Sequence, residues 1–105
     1  MSSETFFRVS TPIGFSVYAT SLYWQFIVTV KHPNMAGREE QVQDALRSPH
    51  EIRQSRRDSS VYLFYHQERS YRWTCVVVKR LNSEGFVVTT YSTDAIKEGV
   101  SVWAR

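Results

Sequence analysis

The chain has 105 residues, 42% of them hydrophobic and 14% aromatic, with a formal charge of +3. That length fits one domain with one core, residues 1–105, and the apolar content excludes a disordered chain. The single Cys75 excludes an internal disulfide and a cysteine-rich zinc site, and no run approaches the ~18 apolar residues of a membrane span.

MSSETFFRVS lacks a charged start followed by a long apolar run, so no leader is expected and the default is a cytoplasmic protein. GFSVYAT carries enough β-branched and aromatic residues for a short strand. SLYWQFIVTVKHP fits two periods. Leu22, Trp24 and Phe26 alternate like a strand, while Tyr23, Phe26, Ile27 and Val30 form a helical stripe. Thr20 or Ser21 in front of it suits a helix cap, and helix is the reading taken. In AGREEQVQDALRSP, Met35, Glu39, Val42, Ala45 and Leu46 keep three- and four-residue spacing up to Pro49, which predicts a helix of about three turns.

Beyond Pro49 the chain reads as β. EIRQSR, VYLFYHQ, RWTCVVVKRL and GFVVTTYST have strand composition, and the links RDSS, ERS and LNSEG suit hairpins. Short links force antiparallel neighbours. TDAIKEG, with Thr93 or Asp94 as cap and Gly99 as stop, predicts a last helix before the tail VSVWAR. The predicted fold is α+β: N-terminal helices packed on a four-stranded antiparallel meander sheet.

Alternation sorts the side chains. Ile52 is expected inward with Leu63, Val76 or Val88. Arg53 and Ser55 then project to the opposite face, beside Lys79, Thr89, Tyr91 and Thr93, over a floor of Trp73, Cys75 and Val77. Val87 is counted with Thr89, Tyr91 and Thr93. Cations and hydroxyls on one surface are what a phosphodiester needs, although a solvated sheet face carries the same residue types. Trp24, Trp73 and Trp103 are assigned to the core, and His50 and His66 to the surface. The three histidines show no metal spacing, so neither a metal nor another cofactor is expected.

From His32 to Gly99 the sequence resembles a known group. A His-Pro precedes a helix; Pro-x-x-Ile-x-x-Ser-x-x-Asp follows. Then come an apolar strand ending in Lys79, and Gly-Phe-Val-Val-Thr-x-Tyr-x-Thr leading to Ile-Lys-x-Gly. This order resembles the phage-type branch of the barnase/EndoU/colicin/RelE-like nuclease superfamily. The resemblance implies a barnase/RelE-like fold and a metal-independent endoribonuclease, a toxin- or phage-associated hydrolase whose 2′-hydroxyl attack leaves a cyclic phosphate. It places His32, Lys79, Tyr91, Thr89 and Ser55 in catalysis: His32 for proton transfer, Lys79 for the growing charge, and Tyr91 to orient His32 or stack a base. Arg53, Arg56, Arg57 and Thr93 would bind RNA and its phosphates. RNA and an acidic inhibitor or antitoxin are the implied partners. Where relatives often carry histidine and glutamate, this chain has Phe26 and Asn34. Those departures motivate the alternative, a non-cleaving RNA- or protein-binding module on the same scaffold.

Overall fold

A computed structural model describes residues 4–105; positions 1–3, where the run read for a leader begins, lie outside them. Strands β1 (Thr5–Ser10) and β2 (Ser16–Thr20) open the chain. Helix α1 (Ser21–Phe26) follows, capped by Thr20, whose hydroxyl accepts from the Tyr23 N–H at 3.2 Å. It runs into a π-helical turn, Ile27–Lys31, which the His32 N–H closes on the Ile27 carbonyl at 2.7 Å. A single 3₁₀ turn (Pro33–Met35) leads to α2 (Glu39–Arg47), whose acidic first turn and basic last turn suit the helix dipole. Then come β3 (Glu51–Gln54), β4 (Val61–Arg69), β5 (Arg72–Leu81), β6 (Glu84–Thr93) and β7 (Val100–Ala104).

These seven strands form one mixed sheet in the order β1-β2-β6-β5-β4-β3-β7. The expected four-stranded antiparallel meander is therefore corrected. Strands β3 to β6 do pair antiparallel in sequence. However, β2 adds parallel to β6, β1 extends that side, and β7 pairs with β3 on the other. The tail VSVWAR is a strand because Ile52 and Trp103 come into register, while Arg105 bonds back to the carbonyls of His50 and Ser48.

The predicted helix in TDAIKEG is absent. Residues 94–99 form an irregular crossing in which the Thr93 hydroxyl donates to the Ala95 carbonyl at 3.2 Å and Ile96 packs on the sheet. Gly99 turns that crossing into β7 at φ +83°, and a Cβ there would meet the Gln54 carbonyl at 2.6 Å, so only glycine fits.

Both helices cover one face of the sheet. Val17, Ile52, Phe64, Val76, Val78 and Val87 are sealed there against Trp24, Ile27, Met35, Val42 and Leu46. The Trp24 indole donates to Glu39 at 3.2 Å and ties α1 to α2. Trp103 lies partly buried against this core, whereas Trp73 packs on the opposite face. There Leu63, Tyr65 and Cys75 form a second, smaller cluster with Val77, Tyr91 and Ile96. Leu63 is thus opposite Ile52, not beside it.

Among the described residues, no helix is long and apolar enough to cross a membrane.

Candidate functional site on the open face of the sheet

One residue in β6 decides which side chains reach this face. Val77 pairs with Thr89 but Val78 pairs with Val87, so Val88 is an extra residue, a β-bulge. Strict alternation would put Val87, Thr89 and Tyr91 together. The bulge instead sends Val87 into the helix-side core and leaves Thr89, Tyr91 and Thr93 opposite Val77, Cys75 and Trp73 on the open face. Val88 therefore takes no place beside Ile52.

The bulge also anchors the segment that carries His32. The Val88 carbonyl accepts from the Tyr23 hydroxyl at 2.8 Å and from the Lys31 ammonium at 3.2 Å. Beyond the end of β2, the α1–π segment thus lies along the exposed edge of β6. The next residue, His32, stands with its ring centroid 5.8 Å from that of Tyr91.

The result is a hollow of about 440 Å³ lined by His32, Ser55, Thr89, Tyr91 and Glu98, with Val61, Leu63 and Val77 as its floor. Four of the five residues that the resemblance places in catalysis, drawn from three separate segments, line it. Thr89 lines it with a hydroxyl that is sealed from solvent and has no hydrogen-bond partner, an arrangement that costs stability.

Lys79 is the exception. It shares the open face, across from Val61 on β4, but its ammonium is held by Asp58 at 3.1 Å. Hydrogen bonds from Ser60 and then from Lys79 hold the Asp58 carboxyl down at about 2. Arg53 is likewise engaged, donating to Glu51 at 2.8 Å and to the Gly99 carbonyl at 3.1 Å. Thr93 lies beyond the hollow, opposite Trp73.

Arg56 and Arg57 are exposed and line an adjoining hollow of about 480 Å³ with Lys97 and Gly99. Ser55, Leu63 and Glu98 are common to both hollows, so the two form one groove. Neither arginine has a carboxylate partner among the described residues. The third cation of this hollow, Lys97, is held by Asp94 at 2.8 Å, so Arg56 and Arg57 are the ones that face the groove without an acid among the described residues.

Behind Tyr91 lies a hydrogen-bonded set of Tyr65, Cys75 and Tyr91. Burial pushes the Cys75 thiol and the Tyr65 phenol each up to about 12. Burial first, and Cys75 next, also raises the Tyr91 phenol. Tyr91 thus stays protonated at neutral pH and can donate, but it cannot serve as a base.

Glu98 escapes sequence reasoning because its segment reads as helix; Gly99, taken there as a helix stop, instead marks a turn that delivers the carboxylate to the groove. His50 and His66 sit at the far end of the sheet, their ring centroids 4.8 Å apart. Desolvation and the Arg105 guanidinium lower the His50 pKa. Among the described residues no three His, Cys, Asp or Glu side chains come together as a metal-holding group. Another hollow, between the β1–β2 and β5–β6 turns, offers mainly Arg8 and Glu84, which are paired with each other.

No protein-family model, curated protein or solved structure matches this chain.

Proposed function

We propose that the chain is an RNA-cleaving domain in which the 2′-hydroxyl of one nucleotide attacks the adjacent phosphate, leaving a cyclic phosphate and a 5′-hydroxyl. The observation that carries the reading is the hollow on the open face, where His32, Ser55, Thr89 and Tyr91 meet Glu98 around an unpartnered hydroxyl. A carboxylate and an imidazole on one hollow supply the two proton transfers that this reaction needs. Glu98 takes the proton of the attacking 2′-hydroxyl, and His32 delivers one to the departing 5′-oxygen. Thr89, Ser55 and Tyr91 donate to the non-bridging oxygens, where negative charge grows. Arg56 and Arg57 neutralise the next phosphate and offer the natural footing for an acidic inhibitor. Lys79 and Arg53 then hold the 55–61 turn and the Gly99 crossing in shape.

A second reading, an RNA-binding module without cleavage, is favoured by one observation. Lys79, the cation assigned to the growing charge, is neutralised by Asp58.

Digestion of single-stranded RNA in the presence of EDTA separates the two. Cyclic-phosphate ends from wild type, with rates reduced by about 10²-fold or more in His32→Ala and Glu98→Gln, support the enzyme. Salt-sensitive binding with intact RNA makes it the binding module. Neither cleavage nor binding at low salt removes both.

A further inference from the structure

The parallel pairing leaves a notch where β2 gives way to α1. β2 lies beside β6 over Ser16–Tyr18, opposite Glu84–Phe86, and then turns into the helix at Ser21. Past that point β6 runs on to Thr93 without a strand on that side. The notch holds about 230 Å³ and is lined by Tyr18, Ala19, Thr20, Tyr23, Phe86 and Val87. Three of these six residues are aromatic. Tyr18 and Phe86 are register partners, with ring centroids 6.5 Å apart and planes at 50°.

Lys31 stands at its rim. The Lys31 ammonium lies 5.5 Å from the Tyr23 ring centroid and 5.6 Å from that of Phe26, and it donates to the Tyr23 hydroxyl at 3.2 Å. Among the described residues it has no carboxylate partner. On the other side Arg8 stacks over Tyr18 at 5.1 Å, but Glu84 balances its charge.

Notch and groove follow one another along β6. Phe86 belongs to the first and Thr89 to the second, roughly 10 Å apart at strand spacing. Lys31 borders the notch, and His32, its neighbour in sequence, lines the groove.

We infer that the notch is a stacking subsite for one unpaired nucleobase of a single-stranded RNA, whose adjoining phosphate pairs with Lys31. The inference rests on the groove taking RNA, and it adds where the nucleotide flanking the reacting phosphate lies. A flat ring laid against these aromatic side chains gains stacking without directed edge contacts, so the subsite tolerates any base. An apolar peptide side chain would fill the space but leave the ammonium without a counter-charge.

The test uses a 2′-O-methylated RNA hexamer, which cannot form a cyclic phosphate, together with copies carrying one abasic position at a time. With wild type, one abasic position is expected to weaken binding on the order of tenfold. In Tyr18→Ala and Phe86→Ala that abasic penalty vanishes, while Tyr18→Phe keeps it. Lys31→Ala, with its fold checked by thermal unfolding, weakens binding of every hexamer about equally and lowers the salt slope by about one. An abasic penalty unchanged in Tyr18→Ala and Phe86→Ala, or no penalty at any position, overturns the subsite. Cleavage of unmodified RNA is scored separately. Cyclic-phosphate ends without an aromatic-dependent penalty remove the subsite and keep the enzyme; the penalty without cleavage does the reverse.

Discussion

The two faces of the sheet are built from the same strands and have opposite character. On the helix side Val76, Phe64 and Ile52 are wholly buried, and two helices seal them with apolar side chains. On the open side the cover is an irregular crossing, the buried cluster is three residues with two oxygen- or sulfur-bearing members, and a buried hydroxyl lacks a partner. Packing of the first kind supplies stability. The second keeps polar groups dry, shifts their proton affinities and leaves room for a ligand, which is how binding sites differ from cores.

The sharpest way to test that division is one substitution made on both sides of β5. Val76→Ala, on the sealed face, is expected to cost about 2–3 kcal/mol, while its neighbour Val77→Ala, on the half-buried floor of the groove, costs under about 1 kcal/mol. Urea unfolding of both variants measures the pair; equal losses would dissolve the distinction. Next in size is Thr89→Val, which removes the orphan hydroxyl while keeping the shape. Stability should rise by about 1 kcal/mol while RNA cleavage falls. A loss of stability would mean that the hydroxyl has an internal partner.

The smallest effect concerns acid. Asp58 has a carboxyl held below its ordinary value, at about 2, so its contribution is present above pH ~4 and lost as pH falls through ~2. Asp58→Asn should lower the neutral plateau slightly and leave stability at pH 2 nearly unchanged, which flattens that limb of the stability–pH curve. Denaturant midpoints at pH 5 and pH 2 check this. An unchanged slope would show that the Asp58–Lys79 pair does not act in solution.

How legible this molecule is in its sequence depends on how local each cause is. β5 and α2 follow from composition, period and the stop at Pro49, and the Thr20 cap from its own hydroxyl. The parallel meeting of β2 with β6 leaves no local mark, because its partners are 68 residues apart (Tyr18 to Phe86). β1 and β7 are edge strands, short and mixed in polarity, so TFFRVS and VSVWAR carry weak signals. The 94–99 segment has helix-like charges, and Lys97 does pair with Asp94 at i,i+3. Burial of Ile96 against Tyr65 and Cys75 decides its path instead.

The site divides along the same line. Parity in β5 places Cys75, Val77 and Lys79 on the open face, but the partners that neutralise Lys79 and Arg53 come from turns and neighbouring side chains that alternation does not describe. Arginine and lysine content alone does not reveal which cations are free.

The extra residue at Val88 acts as a phase shift within the last long strand. Removing it would carry the tail of β6 half a pleat out of step, turning Thr89 and Tyr91 towards the helices and taking away the carbonyl on which Lys31 rests. Insertions and deletions here therefore matter more than most point changes: the chemistry of this face is placed by counting.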